Sequence, residues 1–155
     1  MSVGGAGMGG GPGARVVAEA RGWLGTPYRH QGSARGVGCD CLGLIRGVWR
    51  AMAGADPEAM PRYTPDWGEP RGEEVLFAAA ERHLVRVRDG TVAPGEVLLF
   101  RMRTGAVAKH LGIAAAGAAG PTFIHAMSGR GVVESPLSAP WRRRIAARFA
   151  FPDKG

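Results

Sequence analysis

With 155 residues, 45% of them hydrophobic, the chain suits one globular domain with its own core and excludes two. Its formal net charge of +7 favours polyanionic surroundings (nucleic acid, anionic lipid or an acidic polymer such as cell wall) without choosing among them. No apolar run is long enough to cross a bilayer, and MSVGGAGMGGGPGAR lacks the charged and apolar regions of a secretory signal, so synthesis and folding in the cytoplasm are expected.

Residues 1–13 are mostly glycine and read as a flexible tail or docking arm, leaving 14–155 as a single domain. Val16, Val17, Ala20, Trp23 and Leu24 then recur at helical spacing until Gly25-Thr26-Pro27 stops the helix. Residues 28–38 are Gly-rich and polar, hence a loop. A second helix starts at Asp40 or Cys41, with Asp40 as N-cap. It buries Leu42, Ile45, Val48, Trp49 and Met52 and ends near Ala53, before Gly54 and Pro57. The Pro-rich stretch 55–70 is a long irregular connection, and a third helix is predicted over 73–83.

After His83 the period changes to two. Val85 and Val87 alternate with Arg86 and Arg88, and short strands are predicted at 97–101, 111–115, 122–126, 132–135 and 145–149. Helices first and strands afterwards predict an α+β domain, its N-terminal helices packed on an antiparallel sheet of about five to six strands.

Both cysteines flank one acidic residue, in Cys39-Asp40-Cys41. A zinc site would draw on Cys39, Cys41, His110 and His125, but one intervening residue is a poor chelate at a helix start, and the histidines are not closely spaced. A redox pair needs one residue more between its thiols. A buried core thiol is the plain alternative. A nucleophile accounts for more: Cys41 falls in the first turn of a helix, where unpaired N–H groups favour a thiolate. Its base would be a histidine. If the strands carrying His110 and His125 pair through the turn at 117–121, both imidazoles reach one end of the sheet and give nucleophile, base and orienter.

Five motifs run in order: Gly25-Thr26-Pro27-Tyr28; Asp40-Cys41-Leu42-Gly43-Leu44; Pro94-Gly95-Glu96 before an apolar strand; His110-Leu111-Gly112-Ile113; and Phe123-Ile124-His125-Ala126. In them the chain resembles the NlpC-type cell-wall cysteine peptidases, a papain-like family of peptidoglycan hydrolases, over about residues 14–150. The resemblance implies the papain-like NlpC-type fold, Cys41 as nucleophile, His110 as general base, His125 as its orienter, and Tyr28 near the substrate or oxyanion. It implies an endopeptidase of peptidoglycan stem peptides that needs no metal or organic cofactor. Leu42 stands where the family commonly has Ser, and Cys39 has no family role to transfer.

GTPYRHQG and GVGCDCLGLIRGVWR most resemble the subset encoded in prophage-like and gene-transfer-agent tail clusters. That implies a virion component of a phage-tail-like particle, partnered by tail hub or tip proteins, which carries a thiol protease made without a signal peptide to the cell wall. The alternative is a structural tail-tip protein that keeps the peptidase fold with little activity. Nucleic-acid binding lacks any recognised motif. Trp23, Trp49 and Trp141 read as core or interface aromatics, Trp67 as a border of the substrate groove, and His30 and His83 as surface or loop residues. Arg142–Arg144 read as a solvated face or a contact with another tail protein.

Overall fold

Pro12 opens the first helix, α1 (Pro12–Arg21), at a position where its missing N–H costs nothing. The computed structural model describes residues 11–54, 75–102 and 108–152; most of the Gly-rich arm and the connection with Trp67 lie outside them. Pro12 and Gly13, grouped with the arm by composition, belong to α1. The helix stops at Arg21, and turn bonds from Trp23 N–H to Ala20 O (2.9 Å) and from Thr26 N–H to Trp23 O (2.9 Å) follow it. Trp23 is therefore buried, but Leu24, expected on the same face, is 42% exposed.

The stretch expected as a loop contains a small antiparallel hairpin, β1 (Ser33–Ala34) with β2 (Gly38–Cys39), and Tyr28 bridges Cys39 alongside it. Next comes α2 (Cys41–Ala53). Its N-cap is Asp40, whose carboxylate accepts the Gly43 N–H at 2.8 Å. Gly54, at φ 95°, closes the helix in the left-handed region that glycine tolerates. A Cβ on Gly43 would collide with the Gly32 carbonyl, so glycine lets the hairpin loop sit directly on the first turn of α2. After α3 (Val75–His83) the chain turns to strands.

These are β3 (Val85–Val87), β4 (Val97–Arg101), β5 (Ala108–Gly117), β6 (Gly120–Met127), β7 (Gly131–Pro136) and β8 (Ile145–Ala150). They form one sheet in the order β3-β8-β4-β5-β6-β7, with antiparallel neighbours throughout. The α+β class and six strands agree with the reading of the sequence. A short helix, α4 (Ala139–Arg143), stands between β7 and β8; five residues are too few to show a period. Arg86 pairs with Glu81 at 2.8 Å and lies over the Phe77 and Phe149 rings.

Strand alternation divides the core between the two faces of the sheet. Leu111, Ile113, Ile124 and Ala126 pack with Val16, Trp23, Leu44 and Val48 of the helical side. Leu98, Phe100, Ala114 and Phe123 form a second cluster with Leu137 and Trp141. His110 and His125 fall in phase with that second face, against Phe100 and Phe123.

Candidate active site

The start of α2 abuts the start of β5, and Cys41 is caught between them. Its Sγ points at the Lys109 carbonyl at 3.9 Å, and the backbone N–H groups of Leu111, Leu42 and Cys41 itself face the sulfur. The residue is 7% exposed. A cleft of about 220 Å³ opens over it, lined by Tyr28, Cys41, Lys109, His110, Met127 and Trp141 among others.

Strands β5 and β6 pair directly, with Ile113 opposite Ile124 and Gly117 opposite Gly120. This is the pairing that the sequence required for its two histidines to meet. His110 Nε2 lies 2.9 Å from His125 Nδ1, which leaves Nδ1 as the ring nitrogen of His110 not engaged by His125. On the far side, His125 Nε2 lies 2.9 Å from Ser135 Oγ on β7. His125 is wholly buried. Aromatic rings hold the pair: Phe123 at 4.1 Å from the His125 centroid, and Trp141 at 5.5 Å from His125 and 5.9 Å from His110.

Burial dominates the electrostatics. It pushes the Cys41 thiol up to about 12, aided by the Asp40 carboxylate and opposed by the backbone N–H groups around the sulfur. Burial also lowers His110 to about 4. His125 falls to about 3 through burial, then the neighbouring His110, then Arg130. The sequence suggested a thiol acidified by the helix start; in the fold, desolvation outweighs that effect. Both shifts run toward the uncharged forms, a thiol for Cys41 and an imidazole for His110. Tyr28 is likewise pushed to about 12, by burial first and then by Cys41, Asp40 and Cys39, so its phenol remains a donor.

The structure thus brings Tyr28, Cys41 and His110 to one cleft and links His125 behind His110. Cys39 is fully buried outside the cleft lining, its thiol raised to about 12 by burial and Asp40. His30 is exposed near Asp40. His83, read as a surface or loop residue, ends α3 half-buried and meets Trp49 edge-on at 6.4 Å. Sequence reasoning missed Ser135, and it read Trp141 as a core or interface aromatic without its contact to the histidines. Among the described residues no cluster of three or more His, Cys, Asp or Glu is arranged to hold a metal ion.

No curated protein matches the chain significantly. Solved structures do. The NlpC/p60 domain of peptidoglycan hydrolase SagA is 25% identical, with a TM-score of 0.57 over 92% of this chain and 100% of that one. An NlpC/P60 family protein from Bacillus cereus ATCC 10987 is 19% identical (TM-score 0.60), over 91% of this chain but only 40% of its own, so the chain spans two-fifths of that protein. An N-acetylmuramoyl-L-alanine amidase from Bacteroides uniformis ATCC 8492 shares the fold at 13% identity and TM-score 0.56, over 91% and 99%. The NlpC/P60 family model matches residues 25–148, most of the chain and every element that builds the cleft: the chain belongs to the NlpC/P60 family.

Proposed function

We propose that this chain is a cysteine endopeptidase that hydrolyses peptidoglycan stem peptides, with Cys41 as nucleophile, His110 as base and His125 as its orienter. Family membership and the likeness to a peptidoglycan hydrolase domain support the substrate class. The observation that carries the residue roles is the histidine pair: His110 shares a cleft with Cys41 while its Nε2 is held at 2.9 Å from a fully buried His125.

The Cys41 sulfur attacks the amide carbonyl carbon as its proton passes to His110 Nδ1. Burial makes free separation of these charges costly, so transfer accompanies attack and leaves no standing thiolate. The oxyanion faces the N–H groups at the start of α2 and the neutral Tyr28 phenol. His110 then gives the proton to the departing amine, leaving a thioester on Cys41. Water, deprotonated by His110, attacks the thioester and releases a carboxylate and the thiol. We further propose that the chain reaches the wall as part of a phage-tail-like particle; the stretch around Cys41 supports this by resemblance.

Digestion of purified peptidoglycan, with mass spectrometry of the fragments, tests the reading. Stem-peptide cleavage is expected from the wild type and from Cys39→Ala and is abolished in Cys41→Ala. Cleavage that persists in Cys41→Ala overturns the assignment. No cleavage by folded wild type favours a tail-tip protein that keeps the fold without the activity. Mass spectrometry of particles purified from the producing strain tests the location.

A further inference from the structure

His110 can act as a base only with a lone pair on Nδ1, so its proton must sit on Nε2. That nitrogen faces His125 Nδ1 at 2.9 Å, which must therefore be bare. The His125 proton is then forced onto Nε2, and Ser135 Oγ stands 2.9 Å from it. The opposite chain of protons is equally well connected: Ser135 would donate to His125, His125 to His110, and His110 would present N–H to the sulfur. It would be catalytically dead. Hydrogen-bond connectivity alone does not choose between the two directions.

Resting on the reading of His110 as base, we propose that Ser135 is a positioning residue: its Oγ accepts the Nε2–H of His125 and so holds His125 in the tautomer whose Nδ1 accepts from His110. Two chemical considerations favour this direction. A hydroxyl oxygen has two lone pairs and a rotatable proton, so it can accept from His125 once its own proton turns away from Nε2. The productive chain places both imidazole protons on Nε2, the form an isolated histidine side chain prefers, whereas the dead chain needs the less favoured form twice. Full burial of His125 leaves the choice of tautomer to these neighbouring side chains rather than to bulk water.

Register explains the contact. Ser135 pairs with Phe123, and His125 with Val133, so Ser135 and His125 are diagonal neighbours on one face of the β6–β7 pair, within reach of a ring. Phe123 and Trp141 close the remaining sides of the His125 ring.

The test is two-bond proton–nitrogen NMR of the full chain carrying nitrogen-15 histidine, read near neutral pH, together with peptidoglycan digestion kinetics. Wild type is expected to show His125 and His110 neutral and protonated on Nε2. Ser135→Ala is expected to lose the single His125 tautomer and to lower kcat roughly 10- to 100-fold, by analogy with the partners that orient metal-bound histidines, with little change in KM. Ser135→Thr, which keeps the hydroxyl, is expected to restore both. A wild-type spectrum with His125 protonated on Nδ1 overturns the proposal without any variant, and so does Ser135→Ala with unchanged tautomer and kcat. The spectrum does not depend on turnover. The expected tautomers in a chain that fails to cleave peptidoglycan would sink the proposed function and leave the role of Ser135 in setting the tautomer standing.

Discussion

Lowering the pH from about 7 to about 4 will destabilise this fold through its histidine pair before most carboxylates protonate. Burial holds His110 at about 4 against 6.5 for the free side chain. Between those two values the unfolded chain binds a proton that the folded chain refuses. The stabilisation is therefore complete above the unfolded pKa and is lost as pH falls toward the folded one. At about 1.4 kcal/mol per tenfold difference in affinity, His110 alone accounts for about 3 kcal/mol. His125, lowered to about 3, acts in the same direction. Against a total stability of roughly 5–15 kcal/mol, the loss is large. Urea melts across this pH range would show it as a falling midpoint, about 1–2 M at a slope near 2 kcal/mol/M. His110→Gln removes the His110 titration but keeps the carboxylates, so the difference between the two proteins isolates its share. If both lose stability in parallel, the argument that burial sets the state of His110 is wrong.

Two further outcomes follow from the same site. The neutral thiol, raised to about 12, predicts slow alkylation of Cys41 by iodoacetamide at neutral pH, with a rate rising roughly tenfold per pH unit; a plateau from about pH 5 upward would reveal a standing thiolate–imidazolium pair instead. Trp141→Ala strips the ring from both imidazoles and opens the second face of the sheet. It is expected to cost about 2 kcal/mol, less than a fully buried aromatic because Trp141 is only half-buried. It is also expected to move the acid limb of kcat/KM upward toward the ordinary histidine range. An unmoved limb would show that Trp141 does not keep water from the pair.

What the sequence made legible was local. The apolar run from Val97 to Phe100, closed by Arg101, marks β4 to the residue, and Asp40 ahead of the apolar stripe marks the start of α2. The approach of His110 to His125 was readable because one short turn joins their strands. The link from His125 to Ser135 was not, because it runs diagonally across a second hairpin and leaves no pattern in either strand. The acidity of Cys41 went the other way from expectation for the same reason. The helix start that favours a thiolate is written next to the cysteine. The strand that buries it lies far along the chain, and burial wins.

The Lys109 carbonyl that faces the Cys41 sulfur comes from 68 residues further along. Until β5 docks on α2, Cys41 and Cys39 are ordinary exposed thiols two positions apart, open to oxidants and to each other. The finished fold buries Cys39 completely and leaves Cys41 7% exposed beneath its cleft. The vulnerable period is therefore the chain's own synthesis or refolding, and a preparation refolded without a reducing agent is expected to show less free thiol than one refolded with it.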